Sequence, residues 1–151
     1  MELLQQALAA FEHQAAQKGL RLELNADGPM PEVAVDETWI AQVLENLIGN
    51  ALRYTPQGGR VTLGAARHGE QVTLTVQDSG QGISPEDLPF VFDRFYRADK
   101  SRAEKNGESG LGLAIAKVLV EAHGGMLEAK SVIGRGTTFL IHLPASNPKS
   151  G

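Results

Sequence analysis

Over residues 2–18, ELLQQALAAFEHQAAQK, the apolar residues Leu4, Leu8 and Phe11 recur at helical intervals among polar neighbours, and Gly19 follows as a stop signal. The period then changes. LRLEL at residues 20–24 alternates apolar with polar, as a half-buried strand does. VAVD at residues 33–36 reads as a short strand whose last residue, Asp36, can cap the next helix. That helix, over residues 38–54, carries a stripe of Ile40, Val43, Leu44, Leu47, Ile48 and Ala51. It stops at Thr55-Pro56, ahead of the turn Gln57-Gly58-Gly59. RVTLGAA (60–66) and QVTLTVQ (71–77) return to a period of two around His68-Gly69, which predicts an antiparallel hairpin.

DSGQGISPEDL, from residue 78, predicts a loop with a short helical start. Residues 93–108 are charged and aperiodic, which predicts a mobile loop. A helix over residues 110–123, stopped by Gly124-Gly125, precedes strands at 126–131 and 137–143 joined through Gly134-Arg135-Gly136. The tail over 145–151 predicts disorder. No βαβ unit repeats, so the economical architecture is α+β, with helices packed on one face of a largely antiparallel sheet.

At 151 residues, 42% of them hydrophobic, the chain suits one globular domain with a sizeable core. Neither an apolar run long enough to span a bilayer nor a basic-then-apolar leader is visible, so a cytoplasmic piece without membrane contact is expected. The absence of cysteine excludes disulfide and thiolate chemistry. The histidines His13, His68, His123 and His142 lack metal-ligand spacing, which argues against catalytic zinc. A net charge of -4 argues against nucleic-acid binding, although Arg94, Arg97, Lys100, Arg102 and Lys105 make one segment locally basic.

Five strings carry candidate chemistry. On the second helix, Asn46, Asn50, Arg53 and Tyr54 fall on one flank of the apolar stripe. Neutral amides suit a hard cation such as Mg2+, and a guanidinium one turn away suits phosphate, while an asparagine pair alone also reads as a solvated helix face. DSGQGIS at 78–84 ends a strand. Gly80 and Gly82 permit close backbone approach, and Asp78 can accept from an exocyclic amine, yet a turn needs the same residues. In FDRFYR at 92–97, Phe92 and Phe95 read as core, which leaves Arg94 and Arg97 as the informative residues. GESGLGLAIAK at 107–117 lacks both the P-loop and the dinucleotide fingerprint. Gly110-Leu111-Gly112 nonetheless stands where a loop becomes a helix, whose free amides bind anions. GRGTTF at 134–139 reads alone as a glycine turn entering a strand.

Together and in this order the five strings resemble the N, G1, F, G2 and G3 boxes of the ATP-binding catalytic domain of bacterial two-component sensor histidine kinases, within the GHKL superfamily. The resemblance covers about residues 20–144. It implies a two-layer α/β sandwich of the Bergerat type, a mixed, mostly antiparallel sheet with about three helices on one face, and ATP between the second helix and a lid. By this resemblance Asn50 binds Mg2+, Asn46 and Arg53 lie near the phosphates, and Tyr54 borders the nucleotide. Asp78 reads the adenine amino group, Gly80, Gly82 and Ile83 shape the adenine pocket, and Thr137 contributes from the fifth string. Residues 93–109 resemble the lid, with Arg97 in a catalytic role, and Gly110, Leu111, Gly112 and Leu113 the hinge whose amides meet phosphate. Glu108 departs from the pattern, since the family often has glycine there.

Related ATPases of this superfamily carry a water-activating glutamate one turn before the metal-binding asparagine, where this chain has Asn46. An amide cannot take a proton from water, so transfer of the γ-phosphoryl group to an acceptor is expected over rapid hydrolysis. Glu45 lies about 140° around the helix from Asn50 and faces elsewhere. In the family the acceptor histidine is followed by an acidic residue on a dimerisation helix. His13 is followed by Gln14 and reads as a surface residue. The expected organisation is a connecting helix over 1–19 from a dimerisation domain outside the sequence, a catalytic domain over 20–144, and the tail. The partners implied are that histidine-bearing domain and, through it, a response regulator, the parent protein being open to membrane anchoring. A regulatory ATP-binding or anti-sigma-type kinase module is the alternative of the same fold.

Overall fold

The structure, a computed structural model, describes residues 2–26, 36–93 and 112–145. Helix α1 (Glu2–Lys18) leads into strand β1 (Arg21–Ala26). Helix α2 (Glu37–Tyr54) opens on Asp36, whose carboxylate accepts from the Thr38 amide at 2.8 Å, the capping that the sequence implies. Residues 33–35 of the expected VAVD strand lie outside the described residues. At its other end α2 stops at Thr55, which turns extended before Pro56. The Thr55 hydroxyl and amide both donate to the Ala51 carbonyl, at 2.6 and 3.1 Å. The Lys18 ammonium donates to the Leu52 carbonyl and, at 2.8 Å, to that of Arg53. A cation from α1 thus meets the negative end of the α2 dipole.

Strands β2 (Arg60–His68) and β3 (Gln71–Asp78) form the hairpin, with β2 running through His68. A 3-10 turn (Leu88–Phe90), helix α3 (Gly112–Ala122) and the hairpin of β4 (Met126–Val132) and β5 (Gly136–Pro144) complete the described elements. The sheet order is β1-β2-β3-β5-β4, with β1 parallel to β2 and the other three pairings antiparallel. This is the mixed, mostly antiparallel sheet expected, backed by three helices among the described residues.

Alternation along each strand sends one set of side chains to the helices. Val61 and Leu63, Val72, Leu74 and Val76, and Phe139, Ile141 and Leu143 are all buried, together with Ile40, Val43, Leu44, Leu47 and Ile48 of α2. Each such side chain contributes about 1.5–3 kcal/mol of burial free energy. Helix α1 adds Leu3, Leu4, Ala7 and Ala15 to the same core, so residues 2–18 pack as a layer of this domain. Phe92 meets Phe139 edge-on at 6.0 Å, the core role read from its sequence, while Phe95 lies outside the described residues.

Register gives the sheet a polar end. Val76, Phe139 and Ala129 make one apolar row across β3, β5 and β4. The next row on the same face is Asp78, Thr137 and Ser131. That row closes the sheet beside the C-terminus of α2, where the Gly80 backbone runs against the Tyr54 carbonyl.

Candidate functional site

Asp78 ends β3 and is only 6% exposed. Its Oδ1 accepts from the Gly80 amide at 2.9 Å and from the Thr137 amide at 3.2 Å. Oδ2 accepts no hydrogen bond from the described residues. Burial pushes the Asp78 pKa up, and the two backbone amides oppose that rise without cancelling it. The result is a buried carboxylate held firmly by one oxygen, while the other keeps its acceptor capacity.

Glycines keep side chains away from that carboxylate. A Cβ on Gly80 would sit 2.8 Å from the Tyr54 carbonyl oxygen and 3.1 Å from Asp78 Oδ1. Gly136, with φ of 126°, passes so close that a Cβ would lie 2.0 Å from the Asp78 carbonyl oxygen. No L side chain suits that conformation or that space. The loop after Asp78 is stapled to the β4–β5 hairpin. The Gly134 amide donates to the Gln81 carbonyl at 2.8 Å, and the Ile83 amide donates to Ser131 Oγ at 2.7 Å.

Along α2, Asn46 and Asn50 are half-buried one turn apart and Glu45 is exposed, so the amides and not the carboxylate adjoin the packed side of the helix. Arg53 is exposed and Tyr54 half-buried at the end of the same flank. Gly112 is the first residue of α3, and Leu113 behind it packs against the core. Lys117 of α3 holds its ammonium 5.8 Å from the Phe92 ring centroid, a cation over an aromatic face.

Residues 35–147 match the model of the histidine kinase-, DNA gyrase B-, and HSP90-like ATPases. The chain belongs to that family. It is 51% identical over 114 residues to the sensor histidine kinase WalK of Bacillus subtilis, an alignment that takes in 74% of this chain and 19% of WalK. Among solved structures, full-length ShkA in complex with AMPPNP superposes with a TM-score of 0.85 at 29% identity, over 97% of this chain and 30% of ShkA. The nucleotide-free catalytic domain of the histidine kinase ThkA superposes with a TM-score of 0.83 at 25% identity, over 97% of this chain and 94% of that domain. ThkA in complex with the response regulator TrrA gives 0.80 at 25% identity, over 96% of this chain and 40% of that one. The resemblance to a sensor-kinase catalytic domain, and the sandwich fold it implies, are borne out.

Within this ATPase family fold, the described structure brings Tyr54, Asp78, Gly80, Gly82, Ile83 and Thr137 together at the polar end of the sheet. Asn46, Asn50 and Arg53 extend from there along α2. Arg94, Arg97, Gly110, Leu111 and nearly all of the segment 93–109 expected as a lid lie outside the described residues, as do residues 146–151 of the expected tail. No helix of the described residues is long and apolar enough to cross a membrane. Sequence reasoning passed over Ser131 and the close approach of Gly136 to Asp78. Ser131 sits in MLEAKSV, where nothing marks it. Only the β4–β5 register, which sets it beside Thr137, gives it a place in the site.

Proposed function

We propose that the chain binds Mg-ATP and delivers the γ-phosphoryl group to a histidine on a dimerisation helix of the same parent protein, as the catalytic domain of a cytoplasmic two-component sensor kinase. The observation that carries this reading is Asp78, buried, with Oδ1 taken by two backbone amides and Oδ2 directed to no described residue. Such an oxygen suits the adenine amino group. The likeness to ShkA, solved with AMPPNP, supports a nucleotide there.

The remaining residues divide between base and phosphates. Gly80, Gly82, Ile83 and Thr137 would shape the base pocket and Tyr54 would border it. Asn46, Asn50, Arg53, Arg97 and the Gly110–Leu113 stretch would serve the phosphate end. No cluster of three or more acidic or histidine residues able to hold a metal occurs among the described residues. Asn50 is half-buried and neutral, and its side-chain carbonyl would offer an oxygen to an ion that arrives with the nucleotide. Mg2+, when bound, supplies neutralisation of phosphate charge. In transfer the acceptor nitrogen bonds to the γ-phosphorus, the bridging β–γ P–O bond breaks and ADP leaves. Asn46 cannot deprotonate water, and Glu45 is exposed, which favours transfer over hydrolysis.

An acceptor helix needs a surface to meet. Ile115 and Val118 of α3, three apart on one face, are 42% and 64% exposed, while Ala116 and Val120 of the same helix are buried. A helix apolar on both faces has a partner for its outer one. We assign that face to the dimerisation helix, and the complex of ThkA with TrrA supports a response regulator as the next recipient. The test is incubation with labelled ATP. The chain alone should remain unlabelled and hydrolyse ATP slowly, and addition of the parent dimerisation domain should yield acid-labile phosphohistidine on that domain. Label on His13, or fast hydrolysis lost in Asn46→Ala, would overturn the assignment.

A further inference from the structure

One hydroxyl at the polar end of the sheet holds three partners. Ser131 Oγ accepts from the Ile83 amide at 2.7 Å, donates to the Gly136 carbonyl at 2.9 Å and lies 2.9 Å from Thr137 Oγ1. A serine hydroxyl has a single proton, and a carbonyl oxygen only accepts. The Ser131 proton therefore goes to Gly136, and the contact with Thr137 must carry the threonine proton toward Ser131. Thr137 Oγ1 is left with lone pairs alone for anything else that reaches it. Its neighbour in the row is Asp78, whose Oδ1 takes the Thr137 amide. The carboxylate and the hydroxyl thus both present acceptors at this end of the sheet.

We propose that Ser131 is a positioning residue that determines base specificity: by taking the Thr137 proton it keeps the base end of the pocket acceptor-only. At position 6 of the purine such a pocket favours the amino donor of adenine and repels the carbonyl of guanine, and it is there that the two bases are separated. This rests on the nucleotide reading given above. The same oxygen anchors the Ile83 amide, so Ser131 couples the loop after Asp78 to the direction of the Thr137 hydroxyl.

The test is calorimetric titration with ATP and with GTP of the wild-type chain, Ser131→Ala, Ser131→Thr, Thr137→Val and the double variant Ser131→Ala/Thr137→Val, with thermal melts alongside. Ser131→Ala frees the Thr137 proton to donate to guanine O6, so the preference for ATP over GTP should fall by about fivefold, the size of one neutral hydrogen bond. Ser131→Thr should keep the preference. In the Thr137→Val background the loss of Ser131 should leave the ratio unmoved. Ser131→Cys, whose thiol is a weak donor and acceptor, carries the same expectation as alanine should the alanine variant not fold. A merely structural role would weaken both nucleotides alike and shift only the melts. An unchanged ratio in Ser131→Ala, or equal loss of ATP and GTP, overturns the inference and leaves the nucleotide site standing. A wild-type chain that binds neither nucleotide overturns the site reading and this inference with it.

Discussion

Asparagine at position 78 would separate two tasks that the carboxylate performs together. Its carbonyl oxygen can replace Oδ1 and go on accepting from the Gly80 and Thr137 amides, while its NH2 group stands where Oδ2 was. The protein keeps its hydrogen bonds and loses a buried charge whose desolvation raises the Asp78 pKa, so Asp78→Asn should fold at least as stably as wild type. Binding should suffer, because a donor then faces the adenine amino group. Loss of one charge-assisted hydrogen bond of ~1.5–3 kcal/mol weakens ATP roughly 10- to 150-fold. Alanine behaves differently. It removes the shared acceptor of both amides, at a cost of about 1–3 kcal/mol for each donor left unsatisfied. That is roughly 2–6 kcal/mol out of a typical domain stability of ~5–15 kcal/mol. Urea titrations followed by Trp39, the single tryptophan, whose ring lies 5.0 Å from that of His123 across the α2–α3 contact, would measure stability, and calorimetry would measure ATP affinity. If asparagine destabilises as much as alanine, or binds ATP undiminished, the account of the two oxygens is wrong.

Two further outcomes follow from the same geometry. Because burial holds the folded pKa of Asp78 above its unfolded value, the native state takes up that proton more readily. The associated stability is complete below the unfolded pKa and is lost as pH rises through the folded one. Urea midpoints of wild type minus those of Asp78→Asn, taken from about pH 4 to about pH 7, should therefore decline with pH, whereas ATP affinity, which needs the ionised form, should rise. At Gly136, alanine combines a φ of 126° with a Cβ 2.0 Å from the Asp78 carbonyl oxygen and should cost about 3 kcal/mol or more. Gly134→Ala, at φ of 85° with no described atom within 4 Å of its Cβ, should cost less in the same urea assay, and equal losses would refute the clash.

How much of this was legible beforehand depends on the range of the signal. Helix α2 is written locally: an aspartate cap, a stripe at helical spacing and a Thr-Pro stop place it within a residue of its observed ends. The β2–β3 hairpin is likewise local, with its turn at Gly69 as the glycine suggested, although β2 pairs through His68, two residues beyond the end expected at Ala66. The parallel pairing of β1 with β2 is not local. The intervening chain contains all of α2, and alternation in LRLEL carries no information about its neighbour's direction. The site divides in the same way. Asp78, Gly80 and Gly82 share one short string, and Asn46 and Asn50 share one helix. Ser131, by contrast, needs the β3–β5–β4 register before it has any relation to Asp78.

The polar row also shows why this end of the sheet is unlike the rest. A β-sheet that only had to fold would continue Val76, Phe139 and Ala129 with another apolar row, since burial of a charge costs free energy that burial of a methyl group returns. Asp78 instead carries a raised pKa, and the structure limits its penalty with two main-chain amides that make no demand on neighbouring side chains. Those amides come from loop and strand termini, the places where backbone donors are not already committed to the sheet ladder. Ser131 extends the same economy: its hydroxyl fills the remaining needs of Ile83, Gly136 and Thr137 at once. A row that is unfavourable for stability, with its donors satisfied, keeps acceptor lone pairs on Asp78 Oδ2 and Thr137 Oγ1, which a ligand's donor would complete.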